Sequence, residues 1–140
     1  MEVASLRPKL VSFRVTSFRG ENKALSSGQD PWNIQLTQKI EVGLAVANEA
    51  PAQLLGIVNI DLLAKAAKAN AADQVAEFCA SYEAKFTYPA TVTEAQIAPL
   101  VDTEAYQYVL SAQAFPLAMT HFRREMQSMG FDARNLPLGI

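Results

Sequence analysis

Hydrophobic and polar residues alternate one by one along four segments of the chain, which is the pattern of strands that bury one face of a sheet. The longest segment runs from Trp32 to Val46, and only Gln38 interrupts its apolar row. The other three segments are Val11–Val15, Leu54–Ala64 and Ala76–Tyr88. Ser17-Phe18 breaks the phase after the first segment, which predicts a bulge or the end of a strand. The pattern therefore predicts four strands.

The segments between these strands carry their own predictions. Residues 19–31 contain two glycines and two serines, which favours a mobile crossover between the first two strands. Lys65–Asp73 is rich in alanine and has helical propensity, but alternation resumes directly after it, so we expect a hairpin connection. The third strand also carries Leu55, Ile57 and Leu63 on its second face. This is typical of a central strand covered on both sides, and a surface for a partner is the alternative.

The C-terminal part of the chain changes to helical spacing. Thr93 starts a short helix that ends near Leu100, and a second helical segment runs from Thr103 to Ala114. We expect Pro116 to end that segment and open a new helix, because proline lacks the N–H that a helix interior needs. The Phe and Met stripe of this helix ends at Gly130, the expected left-handed cap. The predicted fold class is α+β: a four-stranded antiparallel sheet with a crossover after the first strand, a short helix and one long amphipathic helix.

Size and charge exclude several classes of protein. A chain of 140 residues, 50% of them hydrophobic, is the size of one domain, so residues 1–140 are expected to form a single domain. The net charge of -2 and the scattered Lys and Arg residues disfavour nucleic acid as a partner. No segment reaches the ~20 apolar residues of a membrane span or resembles a signal peptide. With Cys79 as the only cysteine, we expect a cytoplasmic protein without membrane insertion.

The sequence contains little that could support catalysis. His121 is the only histidine, and on the polar edge of the last helix it is interpreted as a surface residue. Cys79 has no basic neighbour in sequence that would activate its thiol, so it is interpreted as inert. Asp61, Glu77 and Glu83 are interpreted as solvated charges on strand surfaces. Without a phosphate-binding loop, a dinucleotide fingerprint or paired metal ligands, we expect no enzyme activity, no cofactor and no metal site.

The C-terminal landmarks follow one another in a distinctive order. Phe115-Pro116 leads a helix that contains Arg123-Arg124, Gly130-Phe131 caps it, and Asn135-Leu136-Pro137-Leu138 follows. With the strand order upstream, the chain from Leu10 to Ile140 resembles the protein-export chaperone SecB and its relatives. The resemblance implies an ATP-independent holdase that binds unfolded polypeptides as a homo-oligomer, either a dimer or a dimer of dimers. It also implies presentation of preproteins to the translocase motor.

Site residues are assigned by this resemblance alone. In SecB-like proteins the first strand pairs between subunits, and the long helices pack between two sheets. The implied oligomer interface on this chain consists of Val11, Phe13, Val15, Met119, Phe122 and Met126. Clients would lie in an apolar groove beside the sheet, with the candidate lining residues Trp32, Phe78, Tyr82, Tyr106 and Phe115. Such a groove binds varied chains by burying apolar surface, worth ~25 cal/mol per Å².

Two features differ from the export chaperone. SecB generally continues past the Leu-Pro segment into another helix and a polar tail, whereas this sequence ends at Ile140. The sheet face that is acidic in SecB also carries Lys39, Lys65 and Lys85 here. Recruitment of the translocase is therefore less expected, and the alternative is a chaperone dedicated to one unstable partner, such as an antitoxin. A small-ligand-binding protein or an oligomerisation module unrelated to export are the remaining alternatives.

Overall fold

The computed structural model describes residues 7–23, 32–47, 53–68, 74–131 and 136, which form a sheet and two helices. The strands come first, and they are β1 (Lys9–Asn22), β2 (Trp32–Ala47), β3 (Gln53–Lys68) and β4 (Gln74–Thr87). The helices follow, and they are α1 (Glu94–Val101) and α2 (Glu104–Ser128). This arrangement confirms the predicted α+β fold class and the predicted order of its elements.

The four strands form one antiparallel sheet with the order β1-β4-β3-β2. β1 pairs with β4 and not with β2, its neighbour in sequence, which confirms the predicted crossover after the first strand. The crossover begins later than expected, because β1 continues to Asn22. Residues 24–31 of the predicted linker lie outside the described residues. The topology leaves β1 and β2 at the two edges of the sheet.

Two strands are longer than the alternation predicts. β1 has register shifts between Leu10 and Ser12 and between Val15 and Ser17, so the phase break after Val15 is a bulge within a strand that continues. β3 extends to Lys68, where a hairpin connection was expected from residue 65 onward. There Ala66 is buried and pairs with Ala76 of β4. The strand pairing and burial of Ala66 stabilise β3 by more than the low strand propensity of alanine destabilises it.

The two faces of the sheet differ in what covers them. On one side, here called the helix face, the even-numbered side chains of β3 and β4 are buried under the helices. On the other side, the open face, no helix of the described residues covers the odd-numbered side chains. A sheet covered on both sides was therefore a wrong expectation for the part of the chain described. The largest buried side chains of the core include Phe78, Tyr82, Phe86, Phe115, Phe122, Ile60 and Leu62.

Both helices begin at threonine residues that act as caps. The backbone N–H of Thr93 donates to Oε1 of Gln96 at 2.9 Å, which is one half of a capping box. Thr103 accepts a hydrogen bond on Oγ1 from the backbone N–H of Tyr106 at 3.3 Å. The same hydroxyl donates to the C=O of Leu100 at 2.6 Å. Thr103 therefore joins the end of α1 to the start of α2.

α2 continues without a break through Pro116, so the predicted boundary between two helices at this residue is wrong. Proline removes one backbone hydrogen bond and crowds the preceding turn, at a cost of about 3 kcal/mol. Phe115 and Met119 on either side are fully buried, and burial of each contributes roughly 1.5–3 kcal/mol. Packing of the apolar stripe thus outweighs the local cost. Thr120 also donates a hydrogen bond to the C=O of Pro116 at 2.7 Å.

The C-terminal end of α2 is closed as the sequence predicts. Gly130 has a φ of 94°, and its N–H donates to the C=O of Gln127 at 3.1 Å, while the N–H of Phe131 donates to Met126 at 3.0 Å. These two bonds define a Schellman motif. The amide of Asn22 in β1 donates to the C=O of Met129 at 2.6 Å. The end of β1 is therefore attached to the end of α2.

Candidate functional site

The helices contact all four strands, with α1 against β2, but they bury the middle of the helix face more completely than its two sides. Helix-facing side chains are buried on the central strands β3 and β4, but they are half-buried or exposed on the edge strands β1 and β2. Two apolar surfaces result, which we call the β2 flank and the β1 flank. The β2 flank consists of Ile34, Leu36, Ile40, Val42, Leu44 and Val46, and the β1 flank consists of Leu10, Phe13, Val15 and Phe18. Each flank combines apolar surface with the backbone of an edge strand.

β2 is a long and regular edge strand of 16 residues. It pairs with β3 residue by residue, from Trp32 opposite Lys68 to Ala47 opposite Gln53, without a register shift. No described residue pairs with its other edge, so that edge offers alternate N–H and C=O groups to an extended chain. Natural edge strands are usually protected by proline, bulges or inward-pointing charges. β2 has no proline, bulge or inward-pointing charge, and its charged side chains, Lys39 and Glu41, lie on the open face.

β1 is less regular than β2. Its two register shifts interrupt the pairing with β4, and Val11 lies at the first of them, exposed to solvent. Phe13 stacks on Tyr82 with ring centroids 5.7 Å apart, and Phe18 contacts Phe122 edge to face at 6.4 Å. Bulges bend an edge strand and make it a poorer template for a further strand. The two flanks therefore differ: the β2 edge is uninterrupted, and the β1 edge is bulged twice.

The aromatic residues predicted to line a client groove lie in the core of this structure. Phe78, Tyr82, Tyr106 and Phe115 are all buried. Alternation along β4 places Phe78 and Tyr82 on one face, but it cannot tell whether a helix or a groove meets that face. A client reaches these four residues only if the core opens, so their role as client contacts stays a prediction. Trp32 begins β2, and its side chain lies outside the described residues.

The residues predicted for an oligomer interface fall into two groups. The first group lies at the bulged edge of β1 and comprises Val11, Phe13 and Val15. The second group is fully buried between α2 and the sheet of its own chain and comprises Met119, Phe122 and Met126. Tyr108 and Leu117, which were not predicted for an interface, are the exposed large apolar residues of α2. Helical periodicity identifies an apolar stripe, but not whether the same chain or another one covers it.

His121 belongs to a network that the sequence did not predict. Its Nδ1 lies 2.8 Å from the hydroxyl of Tyr82, its Nε2 lies 3.6 Å from Oε1 of Glu125, and Phe18 packs edge-on against its ring at 6.0 Å. The interpretation of His121 as a surface residue is therefore wrong, because the side chain is half-buried and joins β4 to α2. Its spacing from Glu125 could have indicated one partner. Tyr82 lies 39 positions away, beyond any local pattern.

Burial raises the pKa of three tyrosine hydroxyls in the core. At Tyr82, loss of hydration raises the pKa most, and the carboxylate of Glu125 raises it further. The hydroxyls of Tyr88 and Tyr106 share a hydrogen bond at 3.1 Å; burial raises the pKa of both, while the bond raises the pKa of Tyr88 further and lowers that of Tyr106. Tyr82 is therefore protonated at neutral pH, and its hydroxyl donates to Nδ1 of His121 when that nitrogen carries no proton. In the neutral ring the proton then resides on Nε2, which faces Glu125.

Tyr82→Phe tests this network. At pH 7 we expect the free energy of unfolding to fall by about 1 kcal/mol, because Nδ1 of His121 loses its hydrogen-bond partner. Above the ordinary tyrosine pKa of 10.0, the unfolded wild type releases a proton that folded Tyr82 retains, so wild-type stability falls as the pH rises. The variant lacks this contribution. Urea denaturation should therefore show a gap between the two proteins that narrows above pH 10.0.

The control for this experiment is Tyr108→Phe, which alters an exposed hydroxyl on α2. We expect this variant to match the wild type at pH 7. A gap between wild type and Tyr82→Phe that stays constant as the pH rises would contradict the proposed protonation of Tyr82. No gap at neutral pH would show that the hydrogen bond to His121 does not stabilise the fold.

The described residues contain no cluster of ligands for a metal ion: no group of three or more His, Cys, Asp or Glu side chains is placed to hold one. The strand carboxylates have separate polar partners. Asp61 accepts a hydrogen bond from the hydroxyl of Ser81 at 2.7 Å, and Glu83 pairs with Arg14 at 3.0 Å. Within this part of the chain, no helix is long and apolar enough to cross a membrane.

The open face of the sheet carries charges of both signs. Lys39 and Glu41, neighbours along β2, form an ion pair at 3.1 Å. Cys79 is a half-buried free thiol on this face, 3.9 Å from Oε1 of Glu77. The mixture of charges agrees with the expectation from sequence that this face lacks the uniformly acidic character of the export chaperone.

The sheet order, the short helix and the long helix together give the fold of the SecB-like chaperones, as the resemblance in sequence implied. A solved structure that matches this chain is the Mycobacterium tuberculosis Rv1957 SecB-like chaperone in complex with a ChAD peptide from the Rv1956 HigA1 antitoxin. The match has a TM-score of 0.55 and 15% sequence identity, and it covers 96% of this chain and 92% of that chain. No protein-family model and no curated protein matches this chain.

Proposed function

We propose that this protein is an ATP-independent holdase that binds unfolded or unstable polypeptides on the β2 flank. The observation that carries the proposal is the combination, on one strand, of a long unpaired edge and an apolar row that is half-buried from Ile34 to Leu44 and exposed at Val46. An unfolded chain exposes apolar side chains and a backbone without hydrogen-bond partners. The apolar row of β2 can bury such side chains, and its free edge can form hydrogen bonds with such a backbone. Neither interaction demands a particular sequence, so one site can accept varied segments.

The expected affinity is modest. A client that buries roughly 400 Å² of apolar surface gains ~10 kcal/mol from that burial. Loss of translational and conformational freedom on association consumes most of this gain, at an estimated cost of about 4–15 kcal/mol. The roughly 4–5 kcal/mol that remain correspond to a Kd of about 0.2–1 mM for one bound segment, so binding is expected to be weak and reversible, which suits a protein that holds clients and releases them without ATP.

The identity of the client is proposed from the comparison. The Rv1957 structure contains a peptide from an antitoxin, which supports a client-specific role for a protein with this fold. The mixed charge of the open face favours a dedicated client of this kind over delivery of preproteins to a translocase motor. We also propose that the protein acts in the cytoplasm as a homo-oligomer, with β1 at a subunit contact, and that it catalyses no reaction.

The proposal predicts a functional difference between two edge valines. Val46 on the β2 flank is 46% exposed and Val15 on the β1 flank is 40% exposed, so the two form a matched pair. The wild type should suppress aggregation of a chemically denatured client protein at near-stoichiometric ratio without ATP. Val46→Lys should weaken client binding about tenfold, because a charge replaces buried apolar contact. Light scattering and fluorescence anisotropy measure the two effects.

Val15→Lys is the control for this experiment. We expect it to retain client protection and to lower the oligomeric mass measured by sedimentation, because β1 is the proposed subunit contact. If the wild type gives no protection at several-fold molar excess, the holdase function is wrong. If the two valine variants lose protection equally, the function stands but the β2 flank is not the client site.

A further inference from the structure

Gln38 interrupts the apolar row of the β2 flank. It lies opposite Leu62 of β3, whose side chain is buried on the helix face. Directly opposed residues of an antiparallel pair project to the same face, so Gln38 projects to the helix face between Leu36 and Ile40. Its side chain is exposed. Its amide forms no hydrogen bond with the described residues, and it is therefore a free donor and acceptor within the apolar row.

We infer that Gln38 determines the specificity of the client site. It divides the β2 flank into a short apolar segment, Ile34 and Leu36, and a longer one that runs from Ile40 to Val46. A client strand that pairs with β2 would then need a hydrogen-bonding side chain opposite Gln38 and apolar side chains on both sides of it. This inference depends on the holdase function proposed above, and it specifies the partner: an extended segment whose alternation contains one polar position.

The preference follows from the cost of covering an amide. In a paired strand, the client side chain opposite Gln38 would have its Cβ about 4.5–5.5 Å away. A Leu or Val there removes water from the amide and returns no hydrogen bond, which corresponds to about tenfold weaker binding. A client Gln, Asn, Ser or Thr can return that hydrogen bond, because the Gln38 amide has both donors and an acceptor.

The edge geometry favours a client strand over a second copy of β1. β2 offers a continuous edge, and from Ile34 to Val46 it spans about 40 Å at ~3.3 Å per residue, whereas the β1 edge is interrupted at two points. An uninterrupted edge accepts a strand in several registers. The amide of Gln38 selects among these registers, because only one of them places the polar client residue opposite it.

Two extended peptides and one substitution test the role of Gln38. The peptides alternate Leu with Lys or Thr and differ only at one central position of the apolar row, which is Gln in one peptide and Leu in the other. By fluorescence anisotropy, the wild type should bind the Gln peptide about tenfold more tightly than the Leu peptide. Gln38→Leu should reverse this order, because an apolar residue then faces the central position.

Gln35→Leu is the matched control, since Gln35 is an exposed glutamine of the same strand on the open face, opposite Lys65. We expect it to retain the wild-type preference for the Gln peptide. Equal binding of both peptides by the wild type, or an unchanged preference in Gln38→Leu, would overturn the inference. A changed oligomeric mass in Gln38→Leu without a changed peptide preference would assign the β2 edge to a second copy and would also overturn it.

The aggregation and peptide-binding assays together distinguish a wrong role for Gln38 from a wrong holdase function. If the wild type protects a denatured client from aggregation but shows no peptide preference, the holdase function stands and the role of Gln38 is wrong. If the wild type neither protects the client nor binds either peptide, the proposed function itself is wrong. Circular dichroism of Gln38→Leu should match the wild type, because the side chain is exposed and forms no hydrogen bond with the described residues.

Discussion

Phe78→Ala should lower the free energy of unfolding by about 3–5 kcal/mol, the usual cost of truncating a fully buried phenylalanine. Phe78 lies on the helix face of β4 with no solvent exposure. Its ring contacts Phe131 edge to face, with centroids 5.5 Å apart. Removal of the ring leaves a cavity between β4 and the end of α2. Urea denaturation followed by circular dichroism measures the loss.

Tyr108→Ala provides the control for this prediction, because Tyr108 is a 58% exposed aromatic residue on α2. Its truncation should change the stability by no more than about 0.5 kcal/mol. The pair also distinguishes the two roles considered for Phe78. If Phe78 contacts clients in the folded protein, Phe78→Ala will remain stable and lose client binding, and its assignment to the core will be wrong.

Gly20→Val should destabilise the protein by about 2–3 kcal/mol, within the usual range for overpacking. A Cβ at position 20 would lie 2.7 Å from Sδ of Met129 and 2.9 Å from Cδ1 of Phe78. The methionine side chain can shift, but the fully buried ring of Phe78 cannot. β1 cannot retreat easily, because Asn22 is hydrogen-bonded to the C=O of Met129. Thermal and urea denaturation measure the effect.

Gly43→Val is the matched control on the same sheet. A Cβ at Gly43 would have nothing within 4 Å, and the position lies on the open face, opposite Ile57. Valine suits a strand better than glycine, so we expect unchanged or slightly increased stability. Equal destabilisation by the two substitutions would show that loss of glycine from a strand, and not the contact with Phe78, causes the effect at position 20.

The accessible edge of β2 is a liability for an ordinary protein. An unpaired, apolar edge without bulges, prolines or inward charges favours pairing with other chains and aggregation. A holdase needs this property, because its unfolded clients also expose apolar side chains and backbone groups without hydrogen-bond partners. On this view, Gln38 limits the liability: it places one polar group within the row, so a fully apolar strand pairs less well than a client of the right pattern.

Local patterns were sufficient for much of the fold. Alternation from Trp32 to Val46 and from Ala76 to Tyr88 predicted β2 and β4 closely, because side chains of a strand project to alternate faces whatever their neighbours are. Gly130 predicted the end of α2, because a left-handed cap has a local steric requirement. The phase break at Ser17-Phe18 predicted a bulge or a strand end, and the structure has a bulge there, because β1 continues to Asn22.

Local patterns failed where distant residues set the outcome. Pro116 disfavours a continuous helix, but burial of the apolar stripe against the sheet keeps α2 intact. Alanine near residue 66 favours a helix, and the alternation after residue 73 favoured a hairpin connection, but pairing with β4 extends β3 to Lys68. Tyr82 and His121 form a hydrogen bond across the core that no spacing along the chain indicates.

The same distinction applies to the candidate site. The sequence alone predicts the apolar row of β2 and its interruption at Gln38, because alternation assigns each side chain to a face of the sheet. The exposure of this row cannot be predicted from the sequence, because an apolar row has the same alternation on a central strand and on an edge strand. The pairing of β1 with β4 leaves β2 at an edge, and the position of α2 buries Phe78 and Tyr82 while the β2 flank is only partly buried. Contacts between residues far apart in the chain therefore decide which apolar surface is core and which can bind a client.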